Sequence, residues 1–243
     1  MAEYTELFFR SKAFGDDPIW PDIARKMLAE ALDGEKISPV FFHRDHKGSI
    51  QGRIGDDRNG EGMGLPPSVI FDGGRGFVRL YGVGQEGVET LALSLPTVLS
   101  ALNRHLGSPV LLEMRQGSLD LKATGYGVLH SIHRLVVSKK SGFPDDDYQE
   151  KMKREIVRGL VSCARIHAPH FESLIPSESE IEVLEGVPCA VEIKPGIMAG
   201  AVKNVVVAMP IRLSGPWSVG RLRSRGYGLI RSVTPRGPRT EVV

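Results

Sequence analysis

The segment GPWSVGRLRSRGYGLI, residues 215–230, limits what this chain can fold into more than any other stretch. Gly215, Gly220, Gly226 and Gly228 relax the backbone where it must turn sharply or approach a ligand closely. Successive backbone N–H groups in such a loop bind phosphate oxygens, and Arg221, Arg223 and Arg225 add screened positive charge. Tyr227 or Trp217 can stack on a base, a contact worth ~1–3 kcal/mol. A plain β-bulged hairpin has a similar composition and is the alternative.

The formal net charge is only +2, but its distribution is uneven. From Arg212 to Arg239, seven of the 31 basic residues follow one another without an acidic residue. A local excess of this kind creates a field for a polyanion even in a nearly neutral protein. A solvated basic tail is the bland reading, and the interleaved glycines argue against it. Hydrophobic residues at 41% and charged residues at 25% fit a folded soluble chain. Cys163 and Cys189 lack metal-ligand spacing and are expected to be reduced, in a cytoplasmic protein. No signal peptide is evident at MAEYTELFFR, and no apolar run approaches ~18 residues, so no membrane association is expected.

Along the chain, residues 4–10 read as a strand. Pro21 opens a helix at its favoured first position, with Asp22 in the first turn and Gly34 past the end. Ile23, Met27, Leu28 and Leu32 form its apolar stripe. Residues 38–42 read as a second strand, and 44–67 as a long polar loop of the functional or mobile kind. Residues 69–71 and 76–81 read as strands joined through Asp72, Gly73 and Gly74. Ser94 and Pro96 mark the start of a helix that ends at Gly107. Residues 110–114 and 118–122 resemble a hairpin across Gln116 and Gly117, and 126–140 a further strand. A helix follows from Pro144 to His167, with late strands around 183, 187–193 and 205–213. No internal repeat is visible. Strand, helix, strand pair, helix, strand is the order of a ferredoxin-like, RRM-like βαββαβ unit of the α+β class.

Two constellations carry chemistry. In the helix ending at His167, Lys151, Arg154, Arg158 and Arg165 fall within an arc of roughly 60° at ~100° per residue. Met152, Ile156, Leu160 and Ala164 lie opposite, and Glu155 is the one nearby acid. A basic face of this kind suits an RNA groove, with a solvated helix face as the alternative. Lys139 and Lys140 extend the same surface. His43 and His46 form the second constellation, since a histidine near neutral pKa is suited to taking a proton from a ribose 2′-hydroxyl. An arginine or lysine would stabilise the charge that develops on phosphate. Exposed loop histidines are the alternative. His130 and His133 stand on opposite faces of a strand, and His167 and His170 flank Pro169 too irregularly for a metal site. Phosphate-loop, nucleophile-elbow and H-E-x-x-H motifs are absent, which argues against nucleotide hydrolases, esterases and zinc proteases.

The ferredoxin-like start and the G-x-x-x-x-x-G-x-G spacing of Gly220, Gly226 and Gly228 resemble the RAMP superfamily of CRISPR proteins. Pro21 through Gly34, Arg134 through Lys140, and Trp217 through Gly228 resemble the type IV branch of the CRISPR repeat-RNA processing endoribonucleases. The basic helix is similar to that branch's arginine-rich helical finger. The resemblance implies a tandem ferredoxin-like pair with a degenerate second half and a basic helical insertion. Residues 1–125 would form the N-terminal domain. Residues 126–243 would form the C-terminal domain, with the finger at about 141–168 and the loop at 215–230. It implies an enzyme that cuts precursor CRISPR RNA without metal or other cofactor, through a 2′,3′-cyclic phosphate. The protein would then stay on the 3′ repeat hairpin with other effector subunits. Family members often carry a histidine in or near the first helix. Here that helix has Arg25 and Lys26, so Arg25 is assigned to catalysis with His43 or His46. Lys139, Lys140, Lys151, Arg154, Arg158, Arg165, Arg221, Arg223, Arg225 and Tyr227 are assigned to RNA binding. A non-cleaving RAMP subunit that clamps guide RNA is the alternative.

Overall fold

The computed structural model describes residues 3–42, 66–139 and 142–233. His43, His46, Lys140 and most of the expected loop at 44–67 lie outside the described residues. Chain order runs β1 (Glu3–Arg10), α1 (Pro21–Ala31), β2 (Val69–Gly74), β3 (Phe77–Val83), α2 (Gly84–Leu106) and β4 (Leu111–Ser118). It continues with β5 (Asp120–Ser138), α3 (Tyr148–His167), β6 (Glu182–Lys194), β7 (Ile197–Ser214), β8 (Trp217–Ser218) and β9 (Leu229–Ser232). The first four strands form an antiparallel sheet in the order β2-β3-β1-β4. That order, with α1 and α2 as crossovers, is the ferredoxin-like arrangement. The second sheet runs β6-β7-β5-β9-β8, so β5, α3, β6, β7 and β9 repeat the plan. No α-helix lies between β7 and β9; there the chain makes the glycine-rich excursion.

Apolar periodicity explains the layers. Leu7 and Phe9 of β1 and Val78 and Leu80 of β3 meet Leu28 of α1 and Leu91, Val98 and Leu102 of α2 in one core. Met152, Ile156, Leu160 and Ala164, the expected apolar stripe of α3, lie in a second core with Ile132, Leu135, Val205 and Trp217. On α1 the expected stripe shifts. Ile23 is 49% exposed, while Ala24, Leu28 and Ala31 are buried. Alanines three and four residues from Leu28 let the helix lie close to the sheet, which a stripe of larger side chains would prevent.

Several sequence-based expectations are corrected. Residues 38–42 are not a strand: Pro39–Phe42 forms a 3-10 turn. Phe42 stacks on Phe71, ring centroids 5.7 Å apart. Asp72, Gly73 and Gly74 belong to β2, and the chain turns at Arg75 and Gly76. A side chain at Gly73 would meet the Ile19 carbonyl at 2.5 Å, so that glycine serves close packing. Gln116 and Gly117 likewise continue β4. A Cβ on Gly117 would lie 2.7 Å from the Tyr4 ring, so β4 and β5 make no hairpin and enter different sheets. Helix α2 starts at Gly84, ten residues before Ser94, and carries Pro96 inside its 23 residues. Its end at left-handed Gly107 agrees with expectation. Among the described residues, no helix is long and apolar enough to cross a membrane.

Candidate nucleic-acid interface

The excursion from β8 to β9 is a narrow, self-bonded loop. Trp217 pairs with Ile230 and Ser218 with Leu229, and Arg223–Arg225 forms a 3-10 turn at the tip. Its backbone donors are largely spent on the protein. Val219 N–H donates to the Gly228 carbonyl, Gly220 to Glu155, Arg221 to Val136, and Gly228 to Arg134. Arg225 and Gly226 close the turn onto Leu222 and Arg223. The expected row of amides open to phosphate is therefore not present at these six positions. A chain bent this tightly satisfies its buried polar groups internally.

The loop's side chains follow the same logic. Arg223, expected at RNA, is only 7% exposed. It donates to the Ser218 and Gly159 carbonyls, to Cys163 Sγ and to Ser162 Oγ. Arg225 donates to the Ile193 carbonyl. Tyr227 and Trp217, both expected as base-stacking groups, are buried. Arg221 grips the Glu155 carboxylate from Nε at 3.1 Å and from a terminal nitrogen at 2.8 Å. Glu155 thus anchors the loop to α3, a role its place among the basic residues did not signal.

The basic row on α3 is real and locally matched by acids. Lys151 pairs with Asp145 and with Asp147 at 2.9 Å, Arg154 with Glu178 at 3.8 Å, Arg158 with Glu155 at 3.6 Å, and Arg165 with Glu172 at 2.6 Å. Lys139 is exposed at the end of the β5 region. Helix α3 occupies the first-helix position of the second unit, and its apolar side is packed into the core.

Where the loop returns toward β9 it touches the start of α1. Gly226, with φ +88°, leaves no room for a side chain: a Cβ there would stand 2.6 Å from the Pro21 carbonyl. Beside this contact lies a cleft of about 290 Å³ between the two sheets, lined by Trp20, Asp22, His133, Arg134, Tyr227 and Arg231 among others. Asp22, in the first turn of α1, accepts hydrogen bonds from Arg134 at 3.3 Å and from the Tyr227 hydroxyl at 3.4 Å. His133 stacks on Trp20 with centroids 3.8 Å apart. Burial, and then the neighbouring Arg134, hold the His133 imidazole below the ordinary histidine value against the pull of Asp22. The Tyr227 hydroxyl is pushed up by burial and by Asp22. The alternation of HSIHR alone does not say which imidazole faces a cleft, so the sequence does not mark His133 or Trp20 for this site. His130, on the same strand, is wholly buried.

Asp72 of β2 closes the back of the cleft. It is paired with Arg79 at 2.8 Å and with Arg231 of β9. Arg231 also lines a second concavity of about 320 Å³, together with Tyr4, Glu6, Arg79 and Tyr81. Arg25 lies further along α1 with its guanidinium 5.5 Å from the centre of the Phe42 ring. Among the described residues, no group of three or more His, Cys, Asp or Glu side chains could hold a metal ion.

The chain forms two ferredoxin-like units in tandem, the second without its second α-helix, a fold it shares with Cas6 structures. The chain is similar to the structure of "Csf5, CRISPR-Cas type IV Cas6 crRNA endonuclease", with a TM-score of 0.70 and 19% identity over 96% of this chain and 100% of that one. It is also similar to a crystal structure of Cas6b, with a TM-score of 0.61 and 12% identity over 96% of this chain and 100% of that one. No curated protein matches the chain significantly by sequence. Residues 8–235 match the type IV CRISPR-associated endonuclease family Csf5, and the chain belongs to that family.

Proposed function

We propose that this chain cuts the repeat of a precursor CRISPR RNA without a metal ion and then stays on the 3′ repeat hairpin inside an effector complex. A ribose 2′-hydroxyl would attack the adjacent phosphate while a base takes its proton. The 5′-oxygen would leave with a proton, giving a 2′,3′-cyclic phosphate and a 5′-hydroxyl. The observation that carries this reading is the cleft where Gly226 meets the first turn of α1. It gathers the imidazole of His133, the phenol of Tyr227 and two arginines, Arg134 paired with Asp22 and Arg231 with Asp72, around a space of about 290 Å³. Groups of this kind handle protons and stabilise a pentacovalent phosphate.

We assign the base to His43 or His46 and the charge-stabilising role to Arg25. Support for grouping them comes from Arg25 lying over Phe42, the residue that leads into His43. Lys139, Lys140, Lys151, Arg154, Arg158, Arg165 and Arg221 hold the hairpin. Exposed ion pairs such as Arg154–Glu178 and Arg165–Glu172 contribute only ~0–1 kcal/mol, so phosphates can displace their carboxylates at little cost. Arg223, Arg225 and Tyr227 serve RNA binding by shaping the loop.

Incubating the purified chain with cognate repeat RNA in EDTA tests the reaction. Cyclic-phosphate product is expected, and a strict divalent-metal requirement overturns the mechanism. His43→Ala and His46→Ala, made separately, should slow cutting more than binding. If both cut normally, Arg25-assisted catalysis replaces the histidine assignment. Binding without product, under conditions where the complex is active, points to a guide-RNA clamp instead.

A further inference from the structure

Of the two tryptophans, Trp217 is fully buried and Trp20 is 41% exposed. Trp20 occupies the residue just before α1 and makes no capping hydrogen bond with its side chain. Small polar residues are favoured there because they accept from the first helical amides, so the helix gains nothing from an indole. The first core, which α1 helps to build, does not include it either. What holds Trp20 is His133, whose ring lies parallel to the indole within 4° at a centroid distance of 3.8 Å. His133 comes from β5 and Trp20 from the entry to α1, so the stack bridges the two units at the cleft mouth.

This pair is a preformed flat surface. His133 covers one face of the indole, and Pro21 fixes the backbone that follows. The imidazole Nε2 is buried and, among the described residues, has no hydrogen-bond partner, so the pair is held by ring contact rather than polar bonds. We propose that Trp20 is a nucleobase platform: an unpaired RNA base stacks on the outward face of the indole and extends the His133–Trp20 stack by one ring. The proposal rests on the reading of this chain as an RNA-cutting protein. Stacking uses the π-face that all bases share, so the contact tolerates any base identity. It requires a nucleotide outside the duplex, because paired bases in an A-form stem are already stacked on their neighbours. Trp20 lines the same cleft as Arg134 and Arg231, so a phosphate of that nucleotide would compete with Asp22 and Asp72 for the two guanidiniums.

The test uses two repeat RNAs, one a hairpin with an unpaired flank whose 2′-hydroxyls are replaced by hydrogen, the other the hairpin alone. On the flanked RNA, Trp20→Ala should weaken binding ~5- to 100-fold, with binding to the bare hairpin kept within about twofold. Trp20→Phe should keep affinity within a few-fold. It should also abolish the RNA-induced quench of tryptophan emission, while the Trp217 signal remains. Equal binding of flanked RNA by wild type and Trp20→Ala overturns the proposal and leaves Trp20 for a protein neighbour, with the cleavage reading intact. If Trp20→Ala weakens both RNAs alike, Trp20→Phe decides: a surviving quench overturns the platform. A wild-type chain that neither binds nor cuts repeat RNA removes the parent reading and the platform with it.

Discussion

The hydroxyl of Tyr227 donates to the carboxylate of Asp22 at 3.4 Å, across 205 positions of sequence. The same oxygen of Asp22 accepts from Arg134 at 3.3 Å. One half-buried acid therefore ties together the first turn of α1, the central strand of the second sheet and the return arm of the glycine loop. Asp22→Ala should lower the unfolding free energy by ~1–3 kcal/mol, because it leaves a guanidinium and a phenol without their acceptor. Asp22→Asn, which keeps an acceptor oxygen, should cost less. Urea denaturation of the two variants measures the difference, and equal midpoints would remove the tie.

Gly226 and Gly34 separate strain from clash. Both have positive φ, +88° and +76°, but only Gly226 has backbone atoms within reach of an added Cβ. Gly34→Ala should therefore cost ~1 kcal/mol from backbone strain alone. Gly226→Ala must also push α1 away from the loop, and should cost at least ~2 kcal/mol. Thermal unfolding of both variants, side by side, checks the ordering.

Stability should fall in mild acid. Burial pushes the imidazoles of His130 and His167 from 6.5 down to about 4. Above pH 6.5 both are neutral in the folded and unfolded chain, and their contribution is complete. Below it, the unfolded chain takes up protons that the folded chain refuses, so stability is lost progressively down to about pH 4. Each histidine can contribute a loss of about 3 kcal/mol over that window. Denaturation midpoints between pH 7.5 and 4.5 should decline, and the decline should flatten in variants lacking these imidazoles.

The α3 row should govern salt sensitivity. Arg154→Ala and Arg158→Ala should each weaken repeat-RNA binding and reduce the slope of log affinity against log salt by about 1. Titrations at three or more salt concentrations measure this directly. An unchanged slope in the double variant would take the row out of the RNA interface.

Much of the first unit was legible because its signals are local. Pro21 at the start of α1 and Gly107 at the end of α2 each state their own conformation, as does the two-sided pattern of α3 in the second unit. Errors arose where a residue served a distant neighbour. Gly73 and Gly117 look like turn residues, yet both sit inside strands because Ile19 and Tyr4 press against them. Phe41 and Phe42 look like strand residues, but form a 3-10 turn that packs against Phe71. The second unit repeats the first in topology without repeating its sequence, so no periodicity could reveal it. In the site, the glycine spacing marked the loop correctly, whereas the direction of its arginines depended on Glu155, Ser162 and Ile193, which lie far away in sequence. His133 gains its place at the cleft from Trp20, the residue that leads into α1, and nothing in the sequence around either residue pairs them.

Strand β4 ends at Ser118 and β5 begins at Asp120, so a single residue, Leu119, separates the two sheets, and it is buried. A linker this short stores no slack, and the cleft walls have no hinge there on which to swing. Opening the cleft at that seam would therefore have to draw Leu119 out of the core in which it is packed.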